Sequence, residues 1–279
     1  MDNRAIGVFD SGLGGLTAVK QLMDVLPGED IVYFGDTGRV PYGTRSNQTI
    51  VKYVMQDINF LKTFHIKMIV VACGTASTVA LPAIEGRVGL PMVGVLSEAV
   101  ASAVRLTKNN KIGVIATPAT IGSGAFERGL YAAMSQAQVY AQACPLFVPL
   151  VENGHFDTPV TALVVDEYLA PLKEAGVDTL IMGCTHYPLL ERAVGRYMGS
   201  GVTLINVGQE IAKYVKRYLT EQDMLAQKRE KGTCSYFVSD SVENFSHLGS
   251  MFLQQEIGEM VNLVDIEKYE CDSPGPVER

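Results

Sequence analysis

Ile69-Val70-Val71-Ala72-Cys73-Gly74-Thr75 and Leu180-Ile181-Met182-Gly183-Cys184-Thr185 share one pattern: an apolar run, a cysteine, and a threonine directly after it or one residue on. Apolar residues at consecutive rather than alternate positions mark parallel strands covered on both faces. Each run also has a forerunner. Ile6-Gly7-Val8 opens the chain and Ile112-Gly113-Val114 repeats it, each followed by a glycine-rich stretch, Gly12–Gly15 and Gly122–Gly124. The order of strand, glycine turn and cysteine thus occurs twice at nearly matched spacing, from Ile6 to Cys73 and from Ile112 to Cys184. The repeat predicts two similar domains, residues 1–95 plus 208–279 and residues 96–207. The chain crosses between them near 95–97 and returns near 207.

Outward from these runs, strands are expected at Ala5–Phe9, Asp30–Phe34, Lys67–Ala72, Met92–Val95, Lys111–Ala116, Val139–Ala143, Thr179–Met182, Thr203–Ile205 and Cys234–Val238. Helical patterns lie between them at Leu16–Val25, Gln48–Phe64, Thr78–Arg87, Glu98–Thr107, Pro159–Glu174 and Glu210–Thr220. Strands alternating with helices predict an α/β class, parallel sheets flanked by helices. Ligands of such sheets bind at the carboxyl ends of the strands, here in the cleft between the domains. The tail Cys271–Arg279 has two prolines and no periodicity, and is expected to fray.

Composition narrows the functions. A chain of 279 residues, 47% hydrophobic and 19% charged, can bury a large core. A net charge of −7 and the lack of a Lys/Arg run give no case for nucleic acid. The longest apolar runs, such as Ile66–Ala72 with Lys67 inside, are too short for a membrane span. MDNRAIGVFD lacks the pattern of a signal peptide. Five scattered cysteines without a CxxC argue against a disulfide framework and a zinc site, and suit a reducing cytoplasm. No pyridoxal-lysine motif is visible, and no metal or cofactor is expected.

Cys73 and Cys184 fall at strand ends, before turns that lead into helices. A helix N-terminus can lower a thiol from its ordinary value of about 8.5. Across a cleft, two such thiols would supply a base on one side and an acid on the other, which is what inverting a carbon centre by proton exchange requires. The plainer alternative is a buried small hydrophobe; the matched placement favours chemistry. Cys144, Cys234 and Cys271 lack that context and read as structural or incidental. Asp10 reads as a turn residue, or as a carboxylate orienting an ammonium group or a thiol. Gly12, Gly14 and Gly15 miss the dinucleotide fingerprint, because Thr17 stands where Gly or Ala is needed; Asp36 alone keeps a nucleotide reading open. The glycines are expected to form a tight turn whose N–H groups face a substrate carboxylate. Thr75 and Thr185 read as helix N-caps, a role compatible with substrate binding. His186 is an acid/base partner for Cys184 or a loop residue. His65, His155 and His247 have no partner at ligand spacing. Tyr42 is a loop aromatic that closes over a ligand or packs.

Four stretches together resemble a known family. Phe9-Asp10-Ser11-Gly12-Leu13-Gly14-Gly15-Leu16, Pro41-Tyr42-Gly43, Ala72-Cys73-Gly74-Thr75-Ala76-Ser77 and Gly183-Cys184-Thr185-His186-Tyr187-Pro188 are similar, in order and spacing, to the glutamate racemases. Related aspartate and hydantoin racemases usually lack the His-Tyr-Pro continuation. The resemblance implies cofactor-independent racemisation of L-glutamate to D-glutamate, with Cys73 and Cys184 exchanging protons on opposite faces of Cα. It implies assistance from Asp10, His186 and Glu152. Substrate contacts would come from Asp10, Ser11, Tyr42, Gly43, Gly74, Thr75, Thr185 and His186. It further implies a cytoplasmic homodimer supplying D-glutamate for peptidoglycan in a bacterium. Where the family often has Asn, residue 74 is Gly. One amide contact is therefore missing, and the Gly74 N–H, a neighbouring hydroxyl or a water would replace it. Two rival readings remain: a racemase of aspartate or another acidic amino acid, and a non-catalytic binding protein for amino acids or nucleotides with structural cysteines.

Overall fold

The apolar runs form strands, and every pairing among them is parallel. The structure is a computed structural model that describes residues 1–84, 86–227, 230–253 and 255–269. Cys271 and the tail expected to fray lie outside the described residues. In chain order the elements begin with β1 (Ala5–Asp10), α1 (Leu16–Val25), β2 (Ile31–Gly35), α2 (Asn47–Leu61), β3 (Ile66–Val71), α3 (Gly74–Val79), α4 (Leu81–Ile84) and β4 (Met92–Gly94). They continue with α5 (Val95–Leu106), β5 (Lys111–Ala116), α6 (Pro118–Gly122), α7 (Ala125–Ala133), β6 (Gln138–Ala143), α8 (Phe147–Glu152), α9 (Pro159–Ala175), β7 (Thr179–Met182), α10 (Glu191–Met198) and β8 (Thr203–Asn206). The chain then runs through α11 (Val207–Glu221), β9 (Cys234–Val238), α12 (Val242–Leu253) and β10 (Val261–Leu263).

Two sheets result, ordered β10-β9-β2-β1-β3-β4 and β6-β5-β7-β8. The run β2-β1-β3-β4 repeats as β6-β5-β7-β8, so the sequence repeat is also a repeat of topology. Register agrees with it. Phe9 pairs with Val71 in the first sheet and Ile115 with Met182 in the second, and a cysteine follows two residues after each partner.

The consecutive apolar residues are explained by two cores. Ile6, Val8, Met68 and Val70 face a core that continues through Ile112, Val114 and Ile181 of the second sheet. Phe9, Phe34, Ile69 and Val71, on the opposite face, pack against Ile50, Val54 and Ile58 of α2. Alternate side chains of one strand thus feed two apolar layers. The exception is Lys67, fully buried and 2.5 Å from Glu29 Oε2, which also donates to the Asp2 and Met224 carbonyls, both at 2.8 Å. A buried ammonium is tolerable when it is paired and hydrogen-bonded in this way.

Both passages between the sheets are strand-to-helix joints: β4 ends at Gly94 where α5 begins, and β8 ends at Asn206, whose side chain caps α11. Helices α5 and α11 pack on each other. One expected helix differs. The pattern at Thr78–Arg87 is realised as α3 and α4, with α3 beginning earlier, at Gly74. Pro82 lacks an N–H and cannot continue a helix from α3, so a new one starts at Leu81. Strand β10 and helices α6, α7, α8, α10 and α12 were not anticipated.

Candidate active site

The duplicated register delivers both cysteines to one cavity of about 270 Å³, and both are buried. Ser11, Tyr42, Gly43, Cys73, Gly74, Thr75, Glu152, Cys184, Thr185 and His186 all line it. Asp10 stands behind this lining, almost fully buried.

Cys73 is itself the N-cap of α3. Its sulfur accepts from the Ala76 N–H at 3.4 Å, and its thiol donates to Ser11 Oγ at 3.5 Å. A helix N-terminus can lower a thiol, but other forces act on this one. Burial outweighs the Ala76 and Ser11 hydrogen bonds and, with the Asp10 carboxylate adding to it, pushes the thiol up to about 12. At neutral pH Cys73 therefore carries its proton. Thr75, expected as a cap, is free for other work: its hydroxyl lies 3.3 Å from Thr117 Oγ1 and 3.2 Å from Thr120 Oγ1. Those two threonines, the N-cap and the third residue of α6, also line the cavity. No sequence signal distinguished them.

Cys184 sits differently. A 3₁₀ turn over Tyr187–Leu190, not an α-helix, follows its loop, and α10 begins only at Glu191. Its partner is a side chain: His186 Nδ1 lies 3.8 Å from Sγ, and His186 Nε2 lies 3.2 Å from Glu152 Oε1. Burial opposes charge on His186, but the hydrogen bonds to Cys184 and Glu152 prevail and lift it to about 10. At neutral pH it is an imidazolium donating on both sides. Glu152 reaches it from the last turn of α8, far away in sequence.

Asp10 links the two turns. Its carboxylate accepts from the Gly12 N–H at 3.0 Å and from Thr185 Oγ1 at 3.4 Å. Burial raises its pKa while the His186 charge pulls it down. The Gly12 N–H thus serves Asp10, where the sequence reading had the turn's N–H groups facing a substrate. Tyr33 holds the turn from below by donating to the Gly12 carbonyl at 2.7 Å. Gly14 lies hard against the other turn: a β-carbon there would be 2.5 Å from His186 Nδ1.

Tyr42 lines the cavity, but its hydroxyl points into a buried polar cluster. It lies 2.5 Å from Asp36 Oδ2 and 2.8 Å from Asp57 Oδ2. Arg39 bridges the same two carboxylates, Nε to Asp36 at 2.7 Å and Nη2 to Asp57 at 3.0 Å. Burial and the neighbouring Asp36 hold Asp57 well above the usual carboxylate range. Asp36 is therefore committed to this cluster. Cys144, which in the sequence reads as structural or incidental, is part of the cavity wall, and burial holds its thiol well above the ordinary value. Cys234 lies outside that lining. Among the described residues no helix is long and apolar enough to cross a membrane, and no cluster of three or more His, Cys, Asp or Glu could hold a metal ion.

Comparison with known proteins agrees with this geometry. The family model for Asp/Glu/hydantoin racemases matches residues 18–215. A glutamate racemase from Geobacter metallireducens is 44% identical over 92% of this chain and 95% of its own. The crystal structure of a glutamate racemase isoform from Bacillus anthracis superposes with a TM-score of 0.91 at 37% identity, covering 95% of this chain and 98% of that one. A glutamate racemase from Francisella tularensis, solved in complex with D-glutamate, gives 0.89 at 37% identity over 96% of this chain and 100% of that one. The chain belongs to the Asp/Glu/hydantoin racemase family, among its glutamate racemases, and is an isomerase of the amino-acid racemase class.

Proposed function

We propose that this racemase interconverts L- and D-glutamate by a two-thiol mechanism, with Cys73 and Cys184 acting on opposite faces of Cα. The observation that carries the reading is the pair of register-equivalent sulfurs lining one cavity. Their surroundings divide the work. Cys73 holds its proton and is the acid of the resting site. Cys184, whose sulfur lies 3.8 Å from the His186 ring, is the base in this reading. After one inversion the charges are exchanged, and the enzyme is set for the opposite enantiomer. Glu152 holds the imidazolium in place. Asp10 sets the electrostatics on the Cys73 side and orients Thr185. Ser11, the Tyr42-Gly43 backbone, Gly74, Thr75 and Thr185 hold the substrate's carboxylates and ammonium group.

Residues 1–95 plus 208–279 and residues 96–207 are the two units that close on the substrate, excluding water from between the thiols. The physiological role that fits is supply of D-glutamate for peptidoglycan, in a cytoplasm that keeps Cys73 and Cys184 reduced. The test follows Cα. Purified protein is incubated in D2O without added cofactor, with L-glutamate, D-glutamate or L-aspartate. NMR reads deuterium uptake and circular dichroism reads racemisation. Racemisation of glutamate from either side, abolished by Cys73→Ala or Cys184→Ala, is the expected result. Reaction of aspartate alone would overturn the substrate, and ligand binding without exchange would overturn the mechanism.

A further inference from the structure

Gly74 stands where the Cys73 turn meets the Cys184 turn. A β-carbon at this position would lie 2.5 Å from the Gly183 carbonyl oxygen and 3.6 Å from its carbonyl carbon, with Thr120 Oγ1 at 3.8 Å. The obstacle is main chain, so no rotamer change can clear it. Nor can Gly183 step aside. Its N–H donates to the Ile115 carbonyl at 2.7 Å, and a β-carbon at Gly183 would itself meet Ile115, Phe126 and Ala116 at 3.1–3.2 Å. From the far side the Cys184 turn is held by Thr17, whose hydroxyl donates to the Thr185 carbonyl at 2.8 Å, and by the close approach of Gly14. Main chain therefore meets main chain beside the two sulfurs.

We propose that Gly74 sets the span between Cys73 and Cys184, its missing side chain being what lets the two turns close to their working distance. The proposal rests on the two-thiol reading for its kinetic consequence, though not for the spacing itself. Cys73 is anchored to its turn through Ala76 and Ser11, and Cys184 to its own through His186. Any side chain at 74 would carry the sulfurs apart with the turns. A Cα that must reach both sulfurs in one closed state then loses alignment with at least one, while the carboxylate contacts remain. The cost falls on proton transfer more than on binding. The β-carbon of an asparagine at this position would meet the same Gly183 carbonyl, so restoring the amide is not expected to restore a contact here.

Gly74→Ala and Gly74→Asn are the test, the alanine variant being the smaller perturbation and thermal melting checking that each is folded. A misplacement of about 1 Å costs about 10²-fold. The expected result is therefore a fall of that order in kcat in both directions, with KM nearly unchanged, and no recovery with asparagine. Span is read without chemistry by bridging Cys73 to Cys184 with bis-methanethiosulfonates of graded length, in a Cys144→Ser background, the bridge being located by peptide mapping. Both variants should favour a longer bridge than the parent. An unchanged kcat, or an unchanged bridge length, overturns the proposal. If Cys73→Ala and Cys184→Ala still racemise while the bridge lengthens, the two-thiol reading falls and the spacing role stands.

Discussion

The two halves of this molecule share a strand order and a cysteine register, yet they equip the two cysteines in opposite ways. In the first half, β1 ends in Asp10, and the Cys73 sulfur is hydrogen-bonded to a hydroxyl and a backbone N–H. In the second half the equivalent of Asp10 is Ala116, a fully buried apolar residue, and Cys184 is given a histidine and, through it, a carboxylate. Two residues after the cysteine, the first half has Thr75 and the second His186. Duplication supplies a symmetric scaffold, and a few side chains place a proton on one sulfur and a cation beside the other. The proposed two-thiol reaction, symmetric about Cα, would need no more symmetry than the two positions of the sulfurs.

The largest expected effect breaks the pair. Losing either thiol should cost inversion roughly 10²–10⁴-fold, while the remaining half still exchanges Cα hydrogen, with retention, on the one enantiomer facing it. Cys73→Ala and Cys184→Ala should therefore show opposite enantiomer preferences in deuterium exchange; the same preference in both would end the equivalence of the halves. Next comes an attempt to make the halves alike. Ala116→Asp places a carboxylate where no glycine turn offers it an N–H, and stability should fall by about 3–5 kcal/mol, the cost of an uncompensated buried charge, in a urea titration. Little change would mean that the second half is more adaptable than its packing suggests.

A smaller effect tests the cation. The folded pKa of His186 is raised to about 10. Stability and activity linked to its charge are thus complete below the ordinary histidine value and are lost as pH rises through about 10. Glu152→Gln removes one of the groups holding that value up, so the alkaline limb of the rate profile should begin at lower pH. The rate at neutral pH should fall roughly 10-fold, modest because the Glu152 side chain is partly exposed. Smallest is Ser11→Ala. Ser11 draws the Cys73 thiol downward, so its loss should push that thiol further up and slow the reaction by roughly 5-fold, the worth of one neutral hydrogen bond. A slower alkylation of Cys73 at fixed pH, located by peptide mapping in a Cys184→Ser background, reads the shift.

Much of this comparison was legible before any coordinates. Continuous apolar runs located nine strands, and the repeated IGV and strand-end cysteines located both halves and both sulfurs. What stayed hidden depends on distance in sequence. Nothing around Glu152 marks it in the residue pattern; only the family resemblance named it, and only the packing of α8 beside the Cys184 loop brings it to His186. The Arg39–Asp57 pairing joins a loop to the middle of α2, where an aspartate in an amphipathic helix looks solvated. The helices α6 and α8 are too short to show a period, and β10 is three residues long. Which of the two thiols keeps its proton is not legible in the sequence, because a helix N-terminus is visible there while burial is not.

The order of strands also has a consequence for how the chain comes off the ribosome. The edge of β2 that faces β9 must wait while everything from Asp36 to Thr233 is made, because β9 begins only at Cys234. The second sheet, by contrast, is drawn wholly from contiguous chain and can assemble during that wait. Nascent protein therefore carries an unpaired, apolar strand edge for most of its synthesis, a template for pairing with other chains. Slow translation or truncation before Cys234 should favour aggregation over a half-built enzyme, so that what fails in such chains is solubility first and activity second.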